Sequence, residues 1–213
     1  MRNVLLACVA VSAALLPTAP AAADQGVTQR QIYETGRCMV TSDRNTTVNF
    51  LASLPVEEGD ADLTILPNSL QRRCAEGLST ANALHLRGAI AQALFFRDFG
   101  GFGLEPRRSA PLVNLNIPVQ SSPAGTGITE LYRWSDCVVR NDTTHAERLL
   151  SSQVGSRAES DAINSLRAFM SACAPEGQQL AVRSTDFRSL IAQSAYNSMF
   201  RYWTRQLDPV NDQ

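Results

Sequence analysis

The chain has 213 residues, with 19 basic and 20 acidic side chains and a formal net charge of −1 at pH 7. That balance argues against a general nucleic-acid or anionic-membrane binder, because such proteins present a clustered basic face. The basic residues are all arginines, so mechanisms that need a Schiff-base or phosphate-loop lysine are excluded. The length is enough for one good hydrophobic core or two small ones.

The first 23 residues have the pattern of a secretory signal peptide. A positive start at 1–3 precedes an apolar stretch at 4–16, and three alanines at 21–23 match a cleavage site. The apolar stretch is too short to span a bilayer, which takes about 20 residues. We therefore predict cleavage after Ala23, a periplasmic or secreted location, and no transmembrane segment once the signal is removed.

Four cysteines follow the signal peptide, and they form two pairs with the same spacing: Cys38 with Cys74, and Cys137 with Cys173. An even number of cysteines in an exported chain predicts disulfides. Of the three possible pairings we favour Cys38–Cys74 and Cys137–Cys173, because each half of the chain then closes on itself. Zinc sites usually draw on closely spaced cysteine pairs, which the sequence lacks, so we predict no metal and no cofactor.

The cysteine pairs belong to a longer internal repeat. Tyr33 and Tyr132 keep the 99-residue offset of the pairs, and segment 87–95 aligns with segment 188–196 at an offset of 101. Apolar residues in both halves follow a helical period. We predict an all-α protein of two tandem four-helix repeats, each closed by one disulfide and packed with pseudo-two-fold symmetry. A merged eight-helix bundle is the alternative.

The repeats are predicted over residues 24–103 and 128–213, joined by a linker at 104–127 that is rich in Gly, Pro, Ser and Asn. Helices of the first repeat are predicted over 27–41, 46–54, 67 or 68 to 76, and 87–99, with an extended connector or a single turn at 84–86. In the second repeat Asp142 or Thr143 caps a short helix. Ser156 and Glu159 match a capping box ahead of the next one.

The best candidates for a specific site are the repeated polar pairs Arg87 with Gln92 and Arg188 with Gln193. Arginine can bind a carboxylate or phosphate through two parallel hydrogen bonds. If both pairs face a shared groove, they would form a site for an anion or a polar ligand. The alternative, which we favour, is that each arginine pairs with an acid or caps a carbonyl within its own unit.

Other polar and aromatic residues offer weaker candidates. His85 and His145 fall at different places in the two repeats, and neither has an identified catalytic partner. Glu57, Asp60 and Asp62 belong to a dense acidic run, which we interpret as a solvated loop. The aromatic residues that end both repeats could line an apolar pocket, but aromatics at helical spacing more often form core.

The segments 87–95 and 188–196 each contain arginine followed by Ile-Ala-Gln and a terminal aromatic residue. With the signal peptide and the paired cysteines, they resemble small uncharacterised exported proteins of alphaproteobacteria that have two helical units. The resemblance covers most of the chain after the signal peptide. It implies an exported helical protein and no particular activity.

These observations predict a non-enzymatic binding or envelope-associated protein, whose partner is an envelope protein or a small molecule and not a nucleic acid. Two alternatives stay open. One is a hydrolase that uses carboxylates such as Glu57, Asp60 or Asp62. The other is a carrier of a small apolar ligand between the two repeats. The sequence assigns no catalytic residue.

Overall fold

The computed structural model describes residues 27–56, 59–104, 128–174 and 182–207. Eight α-helices make up most of these residues, which confirms the predicted all-α fold. The predicted signal peptide at 1–23, Glu57, and all of the predicted linker except Leu104 lie outside the described residues.

The eight helices divide between the two halves of the chain, four in each. The first half contains α1 (Gln29–Ser42), α2 (Arg44–Ser53), α3 (Asn68–Cys74) and α4 (Ala83–Phe99). It also contains the short strands β1 (Asp60–Asp62) and β2 (Thr80–Asn82) and a 3₁₀ turn, Leu63–Ile65. The second half contains α5 (Ile128–Asn141), α6 (Thr143–Ser151), α7 (Arg157–Cys173) and α8 (Ser184–Leu207).

Side-chain caps explain where several helices begin. Thr28 accepts a hydrogen bond from the Gln31 amide in a complete capping box at the start of α1. Asp43 and Asp142 cap α2 and α6 by accepting hydrogen bonds from backbone amides three residues later. These carboxylates satisfy amides that the first turn of a helix leaves without a partner.

Two local predictions for the first half are wrong. Of the two alternatives for segment 84–86, the extended connector is wrong: the segment forms the first turn of α4, because Asn82 caps that helix by accepting a hydrogen bond from the His85 amide. The acidic run is not entirely a solvated loop, since β1 pairs antiparallel with β2. Ala61 in β1 and Ala81 in β2 are buried while their neighbours in β1 are exposed, so this ribbon covers part of the core.

Disulfides attach an outer helix to each half. Cys38 bonds to Cys74 and Cys137 bonds to Cys173, which confirms the predicted pairing. The first bond joins α1 to α3, and the second joins α5 to α7. Each half is therefore closed covalently by a bridge that spans 36 positions.

Helices α4 and α8 lie side by side at the centre, with α1 packed on α4 and α5 packed on α8. His85 contacts Asp186 near the start of the pair, and Phe102 contacts Trp203 near its end, so the two helices run parallel. A Cβ atom placed on Gly88 would lie 2.5 Å from the Cα of Ser189, so the backbones approach closely between these points. The pseudo-two-fold symmetry of the halves stays a prediction.

Candidate functional site

The repeated polar pairs meet crosswise between the two central helices. The Arg87 Nε donates a hydrogen bond to Gln193 at 3.1 Å, and the Arg188 Nε donates one to Gln92 at 3.2 Å. Arg87 also donates to the carbonyls of residues 51 and 54, at the end of α2. Each arginine therefore forms a hydrogen bond with the glutamine of the other half.

Arg188 is the largest fully buried side chain in the described part of the protein. One nitrogen of its guanidinium lies 2.9 Å from the Glu159 carboxylate. Its five N–H groups have acceptors on Gln92, Glu159, Ser152 and the carbonyls of Leu150 and Ser152. With every donor used, Arg188 is a structural anchor for the turn after α6. It has no donor left for a ligand.

The sequence predicted the capping role of Glu159 but not its contact with Arg188. Its amide does donate to the Ser156 side chain, as the capping box requires. Its carboxylate, however, accepts from Arg188 and from the Gly155 amide at 2.5 Å. The buried guanidinium lies within reach and needs a counter-charge, because burying an unpaired charge is costly.

Two tyrosines fill the space beside the arginines. The Arg188 guanidinium lies 5.1 Å from the ring centre of Tyr33, whose hydroxyl lies 3.2 Å from the Ser189 hydroxyl. Burial raises the pKa of Tyr33 to about 12. Tyr132 donates a 2.6 Å hydrogen bond to Gln193, and burial also raises its pKa. Both rings therefore stay neutral at physiological pH and add no negative charge.

Both histidines pair with aspartates. His85 Nε2 lies 2.8 Å from Asp186 of α8, and His145 Nδ1 lies 2.6 Å from Asp142, the residue that caps α6. His145 also borders a cavity of about 410 Å³. The serines that line this cavity, Ser151, Ser152 and Ser165, each donate to a backbone carbonyl. Their hydroxyl protons are thus directed at the backbone, away from an activating base.

The acids that were considered for a hydrolase have local roles where they are described. Asp62 accepts from the amide and hydroxyl of Thr64, and these bonds lower its pKa. Its carboxylate thus stabilises the 3₁₀ turn. Asp60 is exposed in β1, opposite Asn82.

The aromatic residues that end the two halves pack mainly on one another. Phe102 stacks edge-on against Trp203 with ring centres 4.9 Å apart, and Phe99 lies 5.9 Å from Tyr196. This packing places them in and beside the core instead of around an empty pocket. Phe96, 43 % exposed, differs because it lines a cavity.

That cavity, of about 850 Å³, is a groove lined by residues of both halves. It is bordered by residues 30–41 of α1, residues 89–97 of α4 and the turn at 150–154, which includes the last two residues of α6, with Arg188 at its base. We call it the α1–α4 groove. The Gln92 side chain holds two walls of this groove together, because it accepts a hydrogen bond from Arg188 and donates one to the Leu150 carbonyl at 2.8 Å.

The charge in the α1–α4 groove is predominantly positive. Arg30, Arg37 and Arg97 line it and are exposed, and Glu34 is the one acid among its lining residues. The ion pairs found in the described part of the chain include none of these three arginines. Arg97 does donate a hydrogen bond to the Val40 carbonyl at the end of α1. The groove therefore presents guanidinium groups that have no acidic partner among the described residues.

The aligned positions of the second half are occupied differently. Asp136 takes the place of Arg37, and Ser198 takes the place of Arg97. Ser198 donates to Asp136 at 2.9 Å, and Arg140 pairs with the same carboxylate at 2.8 Å. Asp136 is buried. The polar groups at these positions satisfy one another, in contrast to the arginines of the groove.

The sequence predictions did not include Arg30, Arg37 or Arg97. The first two are seven residues apart in a predicted helix, a spacing that puts them on the same face. This spacing does not single out the two residues, because the chain has many other arginines. The opposite wall of the groove, at residues 150–154, is more than 100 positions away in the sequence. No local sequence pattern predicts that it faces α1.

Comparisons with protein-family models, curated proteins and solved structures found no match. In the described ranges, no cluster of three or more His, Cys, Asp and Glu side chains is suited to hold a metal ion. None of the helices over the same ranges combines the length and apolar character needed to span a membrane.

Proposed function

We propose that the protein is an exported binding protein, without enzymatic activity, that holds an anionic ligand in the α1–α4 groove. The observation that carries the proposal is the set Arg30, Arg37 and Arg97, which line a cavity and have no acidic partner in the described part of the chain. Guanidinium groups bind carboxylates and phosphates through charge-assisted hydrogen bonds. A volume of about 850 Å³ is in the range of small-molecule sites.

Export is supported by the two disulfides, because such bonds persist in oxidising compartments. The predicted signal peptide points to the same location, in the periplasm or outside the cell. We infer that the ligand is a molecule of that compartment.

The repeated polar pairs contribute to this function indirectly. Gln92 and Arg188 line the groove, but they bond to each other and to the turn at 150–154. We propose that they hold the wall in place while the exposed arginines contact the ligand. Arg87 and Gln193 make the corresponding bond at the other side of the central helices. The hydrolase and apolar-carrier hypotheses lack a comparable observation, since Asp62 caps a turn and Phe102 packs on Trp203.

The test is calorimetric titration with octanoate, which has one carboxylate and an apolar chain. We expect saturable binding that weakens about tenfold in Arg37→Ala, the value of one charge-assisted hydrogen bond. Arg72→Ala is the matched control, because Arg72 is exposed on α3 and lies outside the groove. If octanoate binds equally well to the wild type and Arg37→Ala, or not at all, the proposed function is wrong.

A further inference from the structure

The arginines of the α1–α4 groove are separated along α1. Arg30 lies in the first turn of the helix, and Arg37 lies seven residues further on. A separation of seven residues corresponds to about 10 Å along the axis and nearly two full turns, so both side chains lie on the same face. The groove therefore has one cationic group near each end of its α1 wall, and Arg97 of α4 adds to the positive charge.

The surface opposite α1 between these cations has both apolar and polar parts, the polar part being formed by Gln92, Gln153 and the serines at 151 and 152. Its apolar part is the one that a ligand chain would cover. Ala89, Ala93 and Phe96 of α4 and Val154 of the opposite turn line it. Phe96 is the most exposed aromatic group there, so an apolar chain could cover it. Glu34 lies between the two arginines on α1 and disfavours a negative charge at the middle of a ligand.

From this arrangement we infer that the groove takes an elongated dianion, with an acidic group at each end and an apolar chain between them. One anionic group contacts Arg37 and Arg97, and the other contacts Arg30. The inference rests on the proposed function and adds a ligand class to it. It requires that the affinity depend on both the charge and the chain length of the ligand, because a short dianion cannot reach both ends of the groove.

The experiment compares three probes by calorimetric titration: octanedioate, octanoate and butanedioate. Octanedioate and octanoate share a chain length, and octanedioate and butanedioate share a charge. We expect octanedioate to bind about fivefold more tightly than octanoate, the effect of one added ion pair at an exposed site. Butanedioate should bind more weakly than octanedioate despite its equal charge.

Variants then locate the second anion. Arg30→Ala should lower the affinity for octanedioate to about that for octanoate in the same variant, whereas Arg72→Ala should keep the wild-type difference between the two probes. Glu34→Gln should strengthen octanedioate binding, because it removes the one acid on the groove wall. Unfolding midpoints of Arg30→Ala and the wild type should agree, since Arg30 is exposed and is in no ion pair found in the described ranges.

The outcomes separate the two proposals. If octanedioate binds no more tightly than octanoate, or if its advantage survives in Arg30→Ala, the dianion inference is overturned while the anion-binding function stands. If butanedioate binds as tightly as octanedioate, charge alone governs binding and the inference fails as well. If Arg37→Ala leaves octanoate binding unchanged, the proposed function itself fails.

Discussion

Arg188 is a charged side chain whose role is set by burial. It is completely buried, it faces Glu159 at 2.9 Å, and its remaining donors bond to Gln92 and to the turn after α6. The side chain thus connects α8 to α4, to the turn and to α7. Removing one member of a buried ion pair leaves the other charge uncompensated, which is strongly destabilising.

We expect Arg188→Ala to lower the free energy of unfolding by about 3–5 kcal/mol, because it leaves Glu159 without its counter-charge. Urea unfolding of the oxidised protein, followed by circular dichroism, measures the change. Arg157→Ala is the control, because Arg157 is 94 % exposed and lies 3.8 Å from Asp161. That exposed pair should contribute nothing measurable. Equal midpoints for wild type and Arg188→Ala would contradict the structural role.

The sequence repeat identified Arg188 as a candidate site residue, but it did not predict which residues Arg188 contacts. Its repetition at positions 87 and 188 singled it out, whereas its acceptors on Gln92 and Glu159 lie 96 and 29 residues away. Contacts over such distances depend on how helices pack, and a single sequence does not encode that packing in any local pattern. The same reason explains why Arg30 and Arg37 were missed, since their importance depends on the wall opposite them.

Helices α4 and α8 form the contact that unites the two halves. They approach so closely at Gly88 that an added Cβ would lie 2.5 Å from both the Cα and the Cβ of Ser189. Alanine has a better helix propensity than glycine by about 1 kcal/mol. At this position the steric conflict with a neighbouring backbone outweighs that preference, because the atoms involved cannot rotate away.

We therefore expect Gly88→Ala to destabilise the protein by about 1–3 kcal/mol, the usual cost of overpacking. Gly101→Ala is the matched control, since Gly101 follows α4 and has open space around its Cβ position. Thermal unfolding of the two variants measures the difference. A Gly88→Ala variant as stable as Gly101→Ala would show that the helices are further apart than described.

Helix type was more predictable than helix boundaries. α1, α2 and α3 lie within a few residues of their predicted ranges, because apolar periodicity and residues that end helices, such as Pro55 after α2 and Gly77 after α3, mark them. α4 begins at Ala83, earlier than predicted, because the cap at Asn82 was not recognised. β1 and β2 escaped prediction because each has three residues, too few to show an alternating pattern.

At the scale of the whole molecule, the described residues form two halves, each closed by a disulfide, that pack on each other through α4 and α8. The pairing of the cysteines was predictable because each spacing of 36 residues recurs in the sequence. The relative placement of the halves was not predictable, since it depends on the close approach of α4 and α8 at Gly88 and on the hydrogen bonds of Arg87 and Arg188 to glutamines of the other half.

Each disulfide should contribute about 4 kcal/mol to stability in the chain-entropy model for a loop of this size. We expect Cys38→Ala/Cys74→Ala and Cys137→Ala/Cys173→Ala to lose similar amounts, because both loops span 36 positions. Urea unfolding without reductant gives the values. A reductant should shift the wild-type midpoint and leave a variant that lacks all four cysteines unchanged. A wild type that is insensitive to reductant would contradict this prediction.

The two bridges also determine how far the chain can be stretched. If the protein is pulled from its two ends, tension crosses each loop through the sulfur atoms, and the residues inside the loop cannot extend. Each loop of 36 positions withholds about 120 Å of contour length. Under oxidising conditions only the residues outside the two loops can extend, α4 and α8 among them, and reduction releases the length held in the loops.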